Sequence, residues 1–342
     1  MDPETSPAAI VGRLAPSPTG ALHVGNARSL LLAWLSVRQR GGRLWLRIED
    51  IDSPRVKPWA VQQTLEDLQW LGLDWDSFSE KQLDAGGRPR VSGLPGVAVQ
   101  TERTERYREV LQRLIDGAAV YPCTCSRSDI AAAASAPHES PHLPALEGTV
   151  YPGTCRLGDS IRSSDAAFAW RFLTPPTSVS WTDGVRGVQT ARVDVQLGDF
   201  VVARSDGTPA YQLAVVIDDY DMGVNEIVRG DDLIPSTFRQ LVLQQHLGWP
   251  APAYYHVPLM VGPDGRRLAK RHGDTRVAFL RDAGVTPAAL IGYLAWTLGL
   301  VPDREPRSPA SLIGCLDWGR IPTSPTVFDL SRELPLLQES SR

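Results

Sequence analysis

A proline-rich turn held between an apolar stretch and a helix limits most strongly what this chain can fold into. The apolar stretch is Ala8-Ala9-Ile10-Val11, the turn is Pro16-Ser17-Pro18-Thr19-Gly20, and residues 24 to 40 read as a helix ending at Gly41-Gly42. Leu44-Trp45-Leu46-Arg47-Ile48 follows as a strand and Asp52-Ser53-Pro54-Arg55 as a turn. Residues 58 to 71 read as a second helix, with Val61, Leu65, Leu68 and Leu71 on one face. Strand, loop, helix, strand, helix is the rhythm of a parallel sheet covered by helices, so the expected class is α/β. The turn also carries chemistry. Gly20 and Gly25 let the backbone come close to a ligand, and the helix begins where its free N–H groups can face a phosphate. His23 stands at that mouth and can donate to a phosphate oxygen.

Charge narrows the partners. The net charge of the 342 residues is -4, so no global basic field draws nucleic acid, and any RNA contact must come from local clusters. Only three of the 35 basic residues are lysines, Lys57, Lys81 and Lys270, which singles out the places where lysine remains. The first ten residues are not signal-like, and no apolar run approaches the ~18–20 residues that span a bilayer. A cytoplasmic protein with no membrane partner is expected. In a reducing compartment the cluster Cys123, Cys125 and Cys155 suggests a metal more than disulfides, while Cys315 is isolated and reads as buried.

Further along, residues 83 to 100 look like a Gly-, Pro- and Val-rich surface insertion, residues 103 to 116 like a helix, and Ile130 to Pro144 like a low-complexity stretch. Phe168-Ala169-Trp170-Arg171-Phe172 and Phe200-Val201-Val202 read as strands. Leu213-Ala214-Val215-Val216-Ile217 reads as a buried strand, Ser236 to Leu247 as a helix, and the chain from about residue 275 as helical, then loop-rich. These segments divide into an α/β first half (8–118), an inserted cysteine-bearing subdomain (119–194), a second α/β half (195–262) and a helical, then loop-rich C-terminal region (263–342).

The run Arg13-Leu14-Ala15-Pro16-Ser17-Pro18-Thr19-Gly20-Ala21-Leu22-His23-Val24-Gly25-Asn26 resembles the "HIGH" signature of class I aminoacyl-tRNA synthetases, in the form of their glutamyl and glutaminyl branch. That branch has phenylalanine where this chain has Leu14, and continues with Arg-Ile-Glu-Asp, here Arg47-Ile48-Glu49-Asp50. Arg266-Arg267-Leu268-Ala269-Lys270-Arg271 resembles the "KMSKS" loop, with Lys270 on the catalytic lysine and Ala269 where serine is usual. The resemblance implies a Rossmann-like catalytic domain that binds ATP with Mg²⁺ and activates L-glutamate. His23 and Lys270 would be catalytic, their charge work being electrostatic stabilisation of the phosphates, and His23, Gly25, Asn26 and Lys270 would bind ATP.

Glutamate presents an ammonium and two carboxylates, so its pocket needs an acid and arginines. By resemblance the contacts are Arg13, Leu14, Ala15, Pro16, Ser17, Glu49, Tyr211 and Arg229, with Glu49 on the ammonium. A structural ion pair between Glu49 and Arg229 is the bland alternative, and Asp218 and Asp219 read as structural. Three thiolates suit zinc. The short queuosine-modifying members of the branch carry Cys-x-Cys…Tyr-x-x-x-Cys, which matches Cys123, Cys125, Tyr151 and Cys155; His138 or His142 is the alternative fourth ligand.

About 70 residues follow Arg271, fewer than a typical domain of ~100–150, so no anticodon-binding domain is expected, only a short helical stem-contact region. The chain therefore resembles those short members, which place glutamate on queuosine in the anticodon stem-loop of tRNA(Asp), and a monomer is expected. The alternatives are a truncated glutamyl-tRNA synthetase charging tRNA(Glu) and a non-catalytic, synthetase-derived RNA-binding protein.

Overall fold

A computed structural model describes residues 9–51, 56–77, 96–135, 143–156, 167–268 and 272–341. The expected turn at 52–55, most of the 83–100 segment, His138, His142 and the loop residues Ala269, Lys270 and Arg271 lie outside the described residues.

The first elements are strand β1 (Val11–Leu14), helix α1 (Val24–Arg38), strand β2 (Arg43–Ile48) and helix α2 (Pro58–Leu71). Gly41, at φ 62°, takes the left-handed turn that lets the chain leave α1 for β2. Strand β3 (Val97–Val99) pairs in parallel with β2, and β2 in parallel with β1, Leu14 opposite Leu46 and Leu46 opposite Val97. The end of the supposed surface insertion is thus a strand of the sheet. Three residues are too few to show any period.

Helix α3 (Thr104–Asp116) leads to an antiparallel sheet made of β4 (Val120–Cys123), β5 (Ala169–Phe172) and, further on, β8 (Phe200–Arg204). Between them lie the short helix α4 (Arg127–Ser135), the hairpin β6 (Ser178–Asp183) and β7 (Gly187–Arg192), and the single turn α5 (Val193–Gln196). This sheet thus spans residue 194, the expected end of the inserted subdomain.

Helix α6 (Tyr211–Asp221) follows, then strand β9 (Glu226–Gly230), helix α7 (Ile234–Leu247) and strand β10 (Ala253–Val257), parallel to β9. Residues 213–217 are thus helical, not a strand. Leu213, Ala214, Val215, Val216 and Ile217 are each at most 1% exposed, and a helix buried on all sides has no polar face to reveal its period. Asn225 docks β9 against β1: its N–H donates to the Val11 carbonyl (3.0 Å), and Val11 N–H donates to its Oδ1 (2.9 Å). The chain ends with β11 (Met260–Val261), α8 (Val277–Asp282), α9 (Pro287–Thr297), β12 (Thr326–Val327) and α10 (Leu330–Glu339). No described helix is long and apolar enough to cross a membrane.

One core joins Leu14, Leu31, Leu35, Leu44 and Ile48 of the parallel sheet and α1 to Leu290, Ile291 and Leu294 of α9. The C-terminal helices thus complete the main core, each buried leucine adding roughly 1.5–3 kcal/mol. A second core sets Phe172 and Val202 against Leu213, Val216 and Phe238.

Candidate active site

The C-terminal ends of β1 and β9 meet at a cleft of about 520 Å³, lined by Arg13, Ala15, Pro16, Ser17, His23, Gly25, Asn26, Glu49, Tyr211, Arg229 and Arg267 among others. A crevice beyond the carboxyl ends of parallel strands is where open α/β sheets bind ligands. The structure thus brings together all the named glutamate candidates except Leu14. Successive side chains of a strand point to opposite faces, so Arg13 borders the cleft while Leu14 is fully buried in the main core. Lys270 is outside the described residues, but Arg267 of the same loop reaches the cleft and donates to Asp232 at 2.8 Å.

His23 is the N-cap of α1. Its Nδ1 accepts from the N–H of Gly25 (3.1 Å) and of Asn26 (3.3 Å), and Asn26 Oδ1 accepts the His23 backbone N–H (3.4 Å). This reciprocal cap fixes the tautomer: with Nδ1 accepting, the ring proton sits on Nε2. Burial, helped by the Arg267 charge, pushes the imidazole pKa down to about 4, so a neutral donor stands at the helix mouth. Gly25 permits the arrangement, because a Cβ there would lie 3.0 Å from His23 Cε1 and 3.1 Å from Nδ1.

Behind the cleft, charges are closely matched. Arg47, with no exposed side-chain surface, pairs with Glu49 (3.0 Å) and Asp219 (2.7 Å), and Arg13 lies 3.5 Å from Asp219. Burial lowers the Arg13 pKa, with Asp219 opposing, and burial raises that of Glu49, with Arg47 and Arg13 opposing. Burial also works against the Arg47 cation, but Asp219, Glu49 and Asp218 outweigh it and raise its pKa. Ser17 Oγ donates to Glu49 Oε2 at 3.4 Å.

Arg229 differs. Among the described residues it binds uncharged groups: His256 (3.1 Å), Thr237 (2.7 Å), Gln240 (2.8 Å) and Tyr211 (3.5 Å). Glu49 pairs with Arg47 instead of Arg229. Two guanidiniums and Arg47 against Glu49 and Asp219 leave the cleft one positive charge in excess, suited to an anion that brings its own ammonium. Sequence reasoning missed Arg47, whose position inside Arg-Ile-Glu-Asp was the available signal. It also missed His256, a lone polar residue in the otherwise apolar run Ala253-Tyr254-Tyr255-His256-Val257.

Far from the cleft in sequence, the three sulfurs of Cys123, Cys125 and Cys155 lie within 4.8 Å of one another. Cys125 and Cys155 are 3.5 Å apart, and the Tyr151 hydroxyl is 3.4 Å from the Cys123 sulfur and 3.9 Å from that of Cys125. Tetrahedral bonds of ~2.3 Å separate their ligands by about 3.8 Å, so the three cysteine sulfurs could hold a single metal ion.

The sequence matches the family described as tRNA synthetases class I (E and Q), catalytic domain, over residues 9–306. It is 47% identical to the glutamyl-Q tRNA(Asp) synthetase of Rhodopirellula baltica, over 93% of this chain and 96% of that protein. It is also 47% identical to the protein of the same name from Symbiobacterium thermophilum, over 92% and 95%. Among solved structures, a glutamate tRNA ligase from Elizabethkingia meningosepticum in complex with its amino acid superposes with a TM-score of 0.74 at 25% identity, covering 93% of this chain and 67% of that one. With a cleft of this composition at the ends of its parallel strands, the chain belongs to the glutamyl and glutaminyl (E and Q) family of class I tRNA synthetases and is a ligase.

Proposed function

We propose that the protein activates L-glutamate with ATP in the absence of tRNA and then transfers the glutamate to the cyclopentene diol of queuosine at the wobble position of tRNA(Asp). One observation carries the reading: a capped helix mouth with a neutral histidine donor opens onto the same cleft as Arg13, Glu49 and Arg229. A glutamate α-carboxylate oxygen bonds to the α-phosphorus of ATP, and the bond to pyrophosphate breaks. Glu49 faces the ammonium, Arg13 and Arg229 the carboxylates, with Ala15, Pro16, Ser17 and Tyr211 closing the pocket and Leu14 supporting it from the core. His23, the N-terminal amides around Gly25 and Asn26, and Lys270 would meet the phosphates, whose charge Mg²⁺ bound with ATP would help to neutralise. A diol hydroxyl of queuosine then attacks the adenylate carbonyl and AMP leaves. Positioning and electrostatics supply the rate.

Cys123, Cys125, Tyr151 and Cys155 would hold one Zn²⁺, a closed structural site that stiffens the inserted module. The module and the synthetase body would grip the anticodon stem-loop, in a cytoplasmic monomer. The relatives named glutamyl-Q tRNA(Asp) synthetase are 47% identical to this chain, whereas the solved glutamate tRNA ligase is 25% identical, and this favours tRNA(Asp) over tRNA(Glu).

The deciding experiment offers labelled glutamate, ATP and the protein to tRNA(Asp) with and without queuosine, and to tRNA(Glu). Label on queuosine-containing tRNA(Asp) alone is expected. Label on the 3′ end of tRNA(Glu) would replace this reading with that of a tRNA(Glu)-charging ligase. His23→Ala should slow glutamate-dependent ATP–pyrophosphate exchange about 10²–10³-fold, the usual cost of one donor to a developing charge.

A further inference from the structure

Arg229 is oriented by a buried relay that reaches out of the parallel sheet. Its Nε–H donates to Nε2 of His256 on β10 at 3.1 Å. A guanidinium can only donate, so this ring nitrogen is an acceptor and carries no proton. The ring proton is then on Nδ1, which lies 2.7 Å from Asp183 Oδ2 at the end of β6. Asp183 is itself fixed, since it accepts the N–H groups of Val185 (2.9 Å), Arg186 (2.8 Å) and His256 (3.1 Å). The side chains of His256 and Asp183 have no exposed surface. Burial and the Arg229 charge keep the imidazole neutral, its pKa down to about 4 although Asp183 opposes the shift. The Trp181 ring, edge-on at 5.5 Å, walls the histidine in. Beside it, Nη2 of Arg229 donates to Gln240 and to the Thr237 hydroxyl, which itself lies 3.0 Å from His256 Nε2, and this leaves Nη1, 3.5 Å from the Tyr211 hydroxyl, turned to the cleft.

We propose that Asp183 and His256 are positioning residues for the amino-acid pocket: Asp183 selects the histidine tautomer, and the bare Nε2 turns the Arg229 fork so that Nη1 meets a substrate carboxylate. The inference rests on the reading of this cleft as the glutamate pocket. The opposite tautomer would set an N–H against the Arg229 N–H, and the fork would rotate or lose its bond. The hairpin that carries Asp183 thus takes part in amino-acid recognition without touching the substrate. Its tip is tied down as well, because Arg186 pairs with Asp231 and donates to the Thr323 carbonyl.

The test is glutamate-dependent ATP–pyrophosphate exchange by the full-length protein. His256→Leu should raise the KM for glutamate roughly tenfold or more, the cost of a lost buried bond to a charged group, and leave the KM for ATP within about twofold. His256→Gln, whose Oε1 can accept where Nε2 did, should bring the glutamate KM back to within about threefold of wild type. Asp183→Asn can donate to Nδ1 and so favour the wrong tautomer; it should raise the glutamate KM even if the leucine variant does not fold. Equal rises in both KM values, or a glutamine variant no better than leucine, would overturn the positioning role and leave the activity standing. Exchange by the wild type without any dependence on glutamate would overturn the activity and this inference together.

Discussion

His23 is half-buried and His256 fully buried, and both are neutral and locked in one tautomer, yet by opposite means. His23 accepts through Nδ1 from its own helix and keeps its proton on Nε2; His256 accepts through Nε2 from Arg229 and keeps its proton on Nδ1. Neither protonates easily in the folded protein, each pKa being pushed down to about 4, chiefly by burial. Linkage sets the sign. A histidine depressed from 6.5 to about 4 stabilises the fold fully above pH 6.5, and the contribution drains away as the pH falls from there towards 4, because the unfolded chain takes up the proton first. Between pH 7 and pH 5 the loss per histidine is roughly 2 kcal/mol. His256→Gln removes one such group, so urea melts of wild type and variant should converge by about that amount from pH 7 to pH 5. A stability difference that stays constant over this range would mean that His256 is not held neutral.

At the scale of elements, the sequence revealed those whose pattern has a boundary. α1 runs into a glycine turn, and α2 has a proline start and one apolar face, so their limits could be read to within two residues. α6 could not be read this way. Its apolar run is buried on every side, and the residues that would have signalled an exposed face, Asp218 and Asp219, are buried too, paired with Arg103 and Arg47. The cleft motifs were legible because they are contiguous, whereas the relay behind Arg229 was not, since Asp183, Arg229 and His256 come from β6, β9 and β10 and meet only once the sheet is formed. The cysteine cluster lies between these cases, with Cys123 and Cys125 two positions apart and Tyr151 and Cys155 brought in by a loop. There the Tyr151 hydroxyl also accepts the Cys155 backbone N–H at 2.8 Å. Tyr151→Phe should therefore keep the packing yet lower zinc affinity by about 10–100-fold, read in a chelator competition. Zinc held as tightly by the phenylalanine variant would assign the fourth position to another ligand.

Across the whole molecule, α6 is the element that binds the two parts of the catalytic body to each other. Asp218 accepts from Arg103 (2.7 Å), Gln100 (2.7 Å) and Tyr107 (2.9 Å), all in or just before α3, while Asp221 pairs with Arg103 (2.8 Å) and Arg106 (2.9 Å). Asp219 reaches Arg13 and Arg47 on β1 and β2. One turn of helix thus holds together the strands that supply the first half of the cleft and the segment that leads to the inserted module. A buried charge network adds little when complete but costs much when one member is lost, because the partners stay buried without compensation. Asp218→Ala, which does not touch the cleft, should therefore cost about 3–5 kcal/mol, a large part of the 5–15 kcal/mol a domain typically has. The KM for glutamate should change far less than the stability, since Asp219 and not Asp218 faces Arg13, and Asp218 only flanks Arg47 at 3.7 Å. Equilibrium unfolding in urea, followed by tryptophan fluorescence and far-ultraviolet circular dichroism, should give one coincident transition for wild type and variant, moved to lower urea in the variant. Two separated transitions in the wild type would mean that the halves unfold independently, and α6 would then be a spacer between them instead of the tie.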